Sequence, residues 1–106
     1  MVGNLYDGIP GALPEEAVAV LASGSRVRIE RIVSRGHASP PGFWYDQDEN
    51  EWVAVLQGQA QLAFEGRAQP VCLEPGDHLL IKAHQRHRVV STAPGRDTIW
   101  LAVFFR

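Results

Sequence analysis

Between Trp44 and Gly58 the chain reads WYDQDENEWVAVLQG, a knot of carboxylates and amides that runs directly into an apolar segment. Carboxylates, amide oxygens and imidazoles are the side chains that hold divalent cations and move protons near neutral pH. Asp46, Gln47, Asp48, Glu49 and Glu51 lie in this knot, and His37, His78, His84 and His87 flank it. No packed core accepts such a run, because an unpartnered buried carboxylate is costly. The knot therefore belongs at a surface or at the rim of a hollow. Cys72 is the single cysteine, so an internal disulfide and a thiolate metal cluster are both excluded, and it reads as a small residue in a strand.

The elements that must position these groups are mostly strands. The alternating or β-branched segments 26–33, 51–57, 59–64, 68–73, 78–81, 87–92 and 98–105 are separated by turn residues, including EG at 65–66, EPGD at 74–77 and APGRD at 93–97. Residues 34–42 read as a loop. Short strands at this spacing indicate an antiparallel sandwich or small barrel. LPEEAVAVLASG, residues 13–24, predicts one short helix. Pro14 suits its first position, Glu15 and Glu16 complement its dipole, and Leu13, Ala17, Val20 and Leu21 share a face ended by Gly24. The expected organisation is an N-terminal arm and helix over 1–25, packed on a single β-domain over 26–106.

Two strands are apolar on both faces. Val53 and Val55 oppose Trp52, Ala54 and Leu56, and Trp100 and Phe104 oppose Ile99, Leu101, Val103 and Phe105. A half-solvated antiparallel strand alternates instead, so something must cover the second face. The helix and the N-terminal arm can cover part of it and a second copy the rest, which predicts a homodimer.

Composition narrows the classes further. A chain of 106 residues with net charge −2 suits one domain and lacks the basic stripe of a nucleic-acid binder. The longest apolar runs, AVAVLA and IWLAVFF, are too short to cross a bilayer. MVGNLYDGIPG lacks the basic segment and apolar core of a secretory signal, so a cytoplasmic protein is expected.

Two motifs add a family. Glu51 is followed after six residues by Gly58, and further on comes EPGDHLLIKAHQRH, with Pro75, Gly76, Asp77, Ile81, Ala83 and His87. Together they resemble the paired signature of the cupin superfamily, in its small single-domain RmlC-like form. Lys82 stands where the family usually has Pro, and His84 where it often has Gly. The resemblance spans roughly residues 26–105 and implies an all-β fold, an antiparallel jelly-roll β-barrel.

The resemblance also implies a divalent metal inside the barrel, held by two His and the Glu of the first motif and the His of the second. Glu51 and His87 occupy the last two of these positions. The first two fall on Tyr45 and Gln47, or on Trp44 and Asp46, and neither pair contains a His. Gln47, Glu51 and His87 can still form a facial set for Mn, Fe, Ni or Zn, with Tyr45 or Asp46 nearby and water completing the shell. Residues 45, 47 and 51 share a face if the segment stays extended, whereas a turn would deliver Asp46. A set with one nitrogen and two or three oxygens favours the harder ions.

Other residues have plainer readings. Without a metal, Glu51 needs a partner such as His87, Arg31 or Tyr45. His84 and His37 read as loop residues, either of which can lean over the mouth as a proton carrier. His78 reads as surface, and Asp48 and Glu49 as the solvated tip of a turn. Trp44 and Phe43 line the cavity or staple the loop, and Asp77 holds its turn by side-chain-to-backbone bonds. Two functions follow: a metal-dependent oxygenase or isomerase of a small organic molecule, or a non-catalytic module that binds a small ligand or regulates a partner. A nucleotide-sugar epimerase would need a His–Asp or His–Lys acid/base arrangement that the sequence does not place.

Overall fold

The computed structural model describes residues 2–106. Eight strands follow in chain order: β1 Ala17–Ser23, β2 Val27–Arg35, β3 Asn50–Gln57, β4 Ala60–Phe64, β5 Val71–Leu73, β6 His78–Ile81, β7 His87–Thr92 and β8 Asp97–Phe105. They form two antiparallel sheets, one of five strands in the order β1-β2-β8-β3-β6 and one of three in the order β5-β4-β7. The hydrogen-bonded ladders do not close on themselves. The expected all-β antiparallel jelly roll is present, corrected only in that it forms two separate sheets around a common core and not a closed β-barrel.

The expected N-terminal helix is also corrected. Residues Ala17–Ser23 form an edge strand paired with β2, from Ala17 opposite Val33 to Ser23 opposite Arg28. The reason is legible in retrospect. AVAV alternates small and β-branched side chains, and valine fits a pleated surface better than a helix. Pro14 and the two glutamates are compatible with a helix start but do not require one.

Register decides what faces the interior, because directly paired residues share a side. Glu51 is opposite Phe104 and Ile81, Val53 is opposite Ala102 and Leu79, and Val55 is opposite Trp100, which in turn faces Ile32. These side chains meet Ala60, Leu62 and Leu73 of the smaller sheet in one apolar core. Burying a side chain such as Ile81 or Leu62 contributes about 1.5–3 kcal/mol.

The opposite face of the larger sheet carries Trp52, Leu101, Val103 and Phe105, all half-buried, with Leu80 more open at 48% exposed. The N-terminal arm is tied across part of this face, where Arg31 donates to the carbonyls of Leu5 and Asp7 and Arg35 to those of Pro10 and Gly11. Among the described residues no helix is long and apolar enough to cross a membrane.

Two turns explain the motif glycines. Gly58 has φ +83°, and a Cβ built there would lie 2.4 Å from Thr98 Oγ1 and 2.7 Å from Thr98 Cα. Only glycine satisfies both the left-handed conformation and that approach. At Pro75-Gly76, the amide of Asp77 donates to the Glu74 carbonyl and Asp77 Oδ2 accepts from the Glu74 amide, both at 2.8 Å. The expected strand over 68–73 shortens to Val71–Leu73, because Pro70 has no N–H to give the ladder.

Candidate functional site

The segment 37–47 runs beside β7 and brings the polar knot to one end of the core. The Ser39 amide donates to the Val89 carbonyl, and Ser39 Oγ accepts from the Val89 amide. Further on, Tyr45 and His87 exchange backbone hydrogen bonds of 2.7 and 3.2 Å as an isolated antiparallel bridge. A bridged pair shares a face, so the Tyr45 ring lies alongside the His87 imidazole, with centroids 5.4 Å apart and planes 24° from parallel. Phe64, opposite His87 on β4, flanks it on the other side. The Gln47 carbonyl accepts from the His84 amide, which holds the segment for one more residue.

These constraints bring Tyr45, Gln47, Glu51 and His87 to the wall of one cavity of about 220 Å³. Val53, Leu62, Ile81 and Phe104 supply much of its apolar surface. Glu51 Oε1 lies 3.8 Å from Nε2 of His87, and Gln47 Nε2 donates to Glu51 Oε1 at 3.2 Å. Both Glu51 and His87 are buried, at 8% and 4% exposed. Asp46 does not join them. It lies outside with His84, Oδ1 to Nδ1 at 2.8 Å, and both are exposed. His84 has φ 64°, the left-handed conformation that explains why glycine is frequent at this position of the motif.

Electrostatics follow from burial. Loss of water pushes the Glu51 carboxyl up to about 7, only partly offset by the Gln47 hydrogen bond. Burial also pushes the His87 imidazole below its ordinary value, against the backbone hydrogen bond at Gln85. Near neutral pH the imidazole is therefore uncharged, and its 3.8 Å contact with Glu51 is not an ion pair. Nδ1 of His87 lies 2.9 Å from the Gln85 carbonyl, which cannot donate, so Nδ1 carries the proton and Nε2 presents its lone pair to the cavity. The Tyr45 phenol is raised by burial and then by the charges of Glu16 and Glu51, which keeps it a hydrogen-bond donor.

The donor set can be tested against a divalent ion. Two ligands with bonds of about 2.0–2.2 Å to one ion can lie as far apart as Glu51 Oε1 and His87 Nε2 do. Half a turn of the Gln47 amide presents its oxygen in place of its nitrogen. Glu51, His87 and Gln47 thus fit as one carboxylate, one imidazole and one amide, although the described residues include no group of three or more His, Cys, Asp or Glu arranged to hold a metal.

Other expectations resolve simply. Asp48 pairs with Arg106 at 3.1 Å, and both are exposed. Glu49 is not a solvated tip; its carboxylate takes two bonds from Arg28, a partner in another strand that no local pattern announces. Phe43 packs edge-on against Tyr45, and Trp44 lies under the Arg86 guanidinium, so both staple the loop rather than line the cavity. His78 is exposed beside Trp52, and Cys72 is exposed on β5. The cavity also holds Glu16, Glu30 and Trp100, none expected there from sequence. For Glu16 the available signal was the two-residue alternation Glu16, Val18, Val20.

Comparison with known proteins identifies the fold. The Cupin domain family model matches residues 31–104. The crystal structure of a candidate mannose-6-phosphate isomerase from Ralstonia eutropha JMP134 is similar over 99% of this chain and 97% of that one, at 46% identity and TM-score 0.95. A cupin superfamily protein from Desulfitobacterium hafniense DCB-2 shares the fold at 22% identity and TM-score 0.73, over 92% of this chain and 83% of that one. An RmlC-like cupin from Methanocaldococcus jannaschii with a double-stranded β-helix fold matches at 17% identity and TM-score 0.72, over 99% and 92%. No curated protein matches by sequence. A family match over most of the chain, two motifs in the expected order and two antiparallel sheets enclosing a polar-ended cavity place this chain in the cupin family.

Proposed function

We propose that the cavity is the site of a small metal-dependent cupin that acts on a small organic molecule, in the isomerase class. The observation that carries this reading is the convergence of Glu51 Oε1 and His87 Nε2 at 3.8 Å, with the Gln47 amide beside them, in a hollow lined by no lysine or arginine among the described residues. Gln47, Glu51 and His87 would hold a divalent ion such as Mn, Fe, Ni or Zn, which when bound would polarise an oxygen of the substrate. The rest is the work of the chain. The Gln85 carbonyl fixes the His87 tautomer, as the outer partner of a ligating imidazole commonly does. The Tyr45 hydroxyl offers a hydrogen bond at the mouth. Val53, Leu62, Ile81 and Phe104 exclude water from the reacting end.

The isomerase class is supported by the Ralstonia relative, whose name carries that activity. The test is turnover in D₂O. Untagged protein loaded with Mn²⁺ or Fe²⁺ and given small aldoses and ketoses should incorporate solvent deuterium at the carbon beside the carbonyl. Glu51→Ala and His87→Ala should lose this. Loaded protein that exchanges nothing overturns the isomerase reading.

A non-catalytic ligand-binding module is the second reading, favoured by a donor set with only two strong ligands. It predicts thermal stabilisation by small ligands with no turnover. In either case the apolar outer face around Trp52, Leu80 and Leu101 fits a second copy of the chain. The single free Cys72 is consistent with a cytoplasmic setting.

A further inference from the structure

Glu16 stands at the head of β1, on the divide between the cavity and a neighbouring hollow lined by Pro14, His37 and Pro40. It is held there from below. Ser34 Oγ donates to Glu16 Oε2 and accepts from the Trp100 indole Nε1–H at 3.1 Å. Ser34 is wholly buried and Trp100 is 4% exposed, so the relay is a fixed part of the interior. Among the described residues the other carboxylate oxygen of Glu16 takes no hydrogen bond. Among the described residues Glu16 has no ion pair, whereas Glu30 is matched by Arg28 at 2.6 Å.

The same cavity leaves one carboxylate to meet a ligand's charge, because Glu30 is matched by Arg28 and Glu51 is the candidate metal holder. Glu16, Glu30 and Glu51 line it, and among the described residues no lysine or arginine does. Arg28, over the Phe104 ring at 4.3 Å, is shared by Glu30 and Glu49 and has no charge to spare. Tyr45, Trp100 and Phe104 supply aromatic surface between the carboxylates. Carboxylates with aromatic rings form a favourable site for an organic cation and an unfavourable one for a phosphate. His87, 4% exposed, aims Nε2 into the same space with no hydrogen bond of its own, which marks it as a place for a ligand.

We propose that Glu16, held by the Ser34–Trp100 relay, is the residue that selects the ligand, and that it selects a small molecule bearing an ammonium group over a phosphorylated one. This rests on the reading of the cavity as the ligand site. It departs from the name of the Ralstonia relative, whose substrate would carry a phosphate. A charge-assisted hydrogen bond to Glu16 favours an ammonium ligand over its neutral analogue by roughly tenfold or more in affinity.

The experiment titrates the protein with D-mannosamine, D-mannose and D-mannose 6-phosphate and follows the Trp100 indole ¹H–¹⁵N cross-peak, assigned by its loss in Trp100→Phe. Mannosamine should bind about tenfold more tightly than mannose, with mannose 6-phosphate weakest. Glu16→Gln keeps an acceptor for Ser34 and should bring mannosamine to within about threefold of mannose. Tightest binding by mannose 6-phosphate, no preference for mannosamine over mannose, or a mannosamine preference unchanged in Glu16→Gln, overturns the proposal and leaves the cavity as the ligand site. If no probe moves the cross-peak, both the ligand reading of the cavity and the proposal fail.

Discussion

Glu51 Oε1 and His87 Nε2 lie 3.8 Å apart at the end of the core, yet neither is charged by the other. Glu51 arrives on a central strand of one sheet, and His87 opens a strand of the other. Burial acts on them in opposite directions, raising the acid and lowering the base. The site therefore lacks one positive charge, which a proton, a metal or a cationic ligand can supply.

The first prediction concerns pH. In the folded chain Glu51 rises from 4.5 to about 7, so the folded state holds a proton that the unfolded state releases. Its contribution to stability is fully present below pH 4.5 and is lost as pH rises through about 7. The change is about 3 kcal/mol across that window. Glu51→Gln cannot ionise. In EDTA, its melting temperature relative to wild type should climb by roughly 10 °C between pH 5 and 8. A constant difference would show that Glu51 is not desolvated. His87 acts in the other direction, since an imidazole held below its unfolded value costs stability as pH falls below 6.5. Both curves carry that effect.

Gly58 should tolerate no side chain. With φ +83° and Thr98 Cα 2.7 Å from a built Cβ, Gly58→Ala meets backbone, not a movable side-chain tip. The expected loss is at least about 2 kcal/mol by denaturant unfolding, from left-handed strain together with the clash. A loss below about 0.5 kcal/mol would contradict the β3–β4 turn described here.

Trp100→Phe keeps the ring in the core but removes the indole donor to Ser34. Leaving a buried hydroxyl short of one partner should cost about 1–2 kcal/mol, measured by urea unfolding. Ser34→Ala should cost a comparable amount, and the double variant should be clearly less than additive, because both changes break one network. Strict additivity would separate the two residues.

The apolar outer face predicts self-association. Leu80→Arg places a charge at its most open large side chain, 48% exposed, and should convert a dimer into a monomer in analytical ultracentrifugation with little loss of fold. Wild type that sediments as a monomer removes the second copy from the account.

Most strands were legible because their alternation is local and their ends are marked by Gly, Pro and Asp. The Glu51–Gly58 and Pro75–His87 motifs were legible because each encodes a turn that only certain residues can make. β1 was misread because Pro14, Glu15 and Glu16 satisfy the rules for a helix start. The nine-residue edge of β2, which decides the matter, is a tertiary partner. Glu16, Ser34 and Trp100 were missed as a unit for the same reason. They come from three strands or strand ends and no sequence spacing joins them. The choice between Gln47 and Asp46 stayed open in sequence because it depends on whether 45–47 is extended, which the backbone bonds to His84 and His87 decide.

Crystals of untagged protein soaked in Mn²⁺ offer the most direct test of the central claim. An anomalous peak within bonding distance of Glu51 Oε1 and His87 Nε2, with the Gln47 oxygen turned toward it, is the expected result. Full-occupancy peaks elsewhere with none between these two side chains would contradict the metal-holding site.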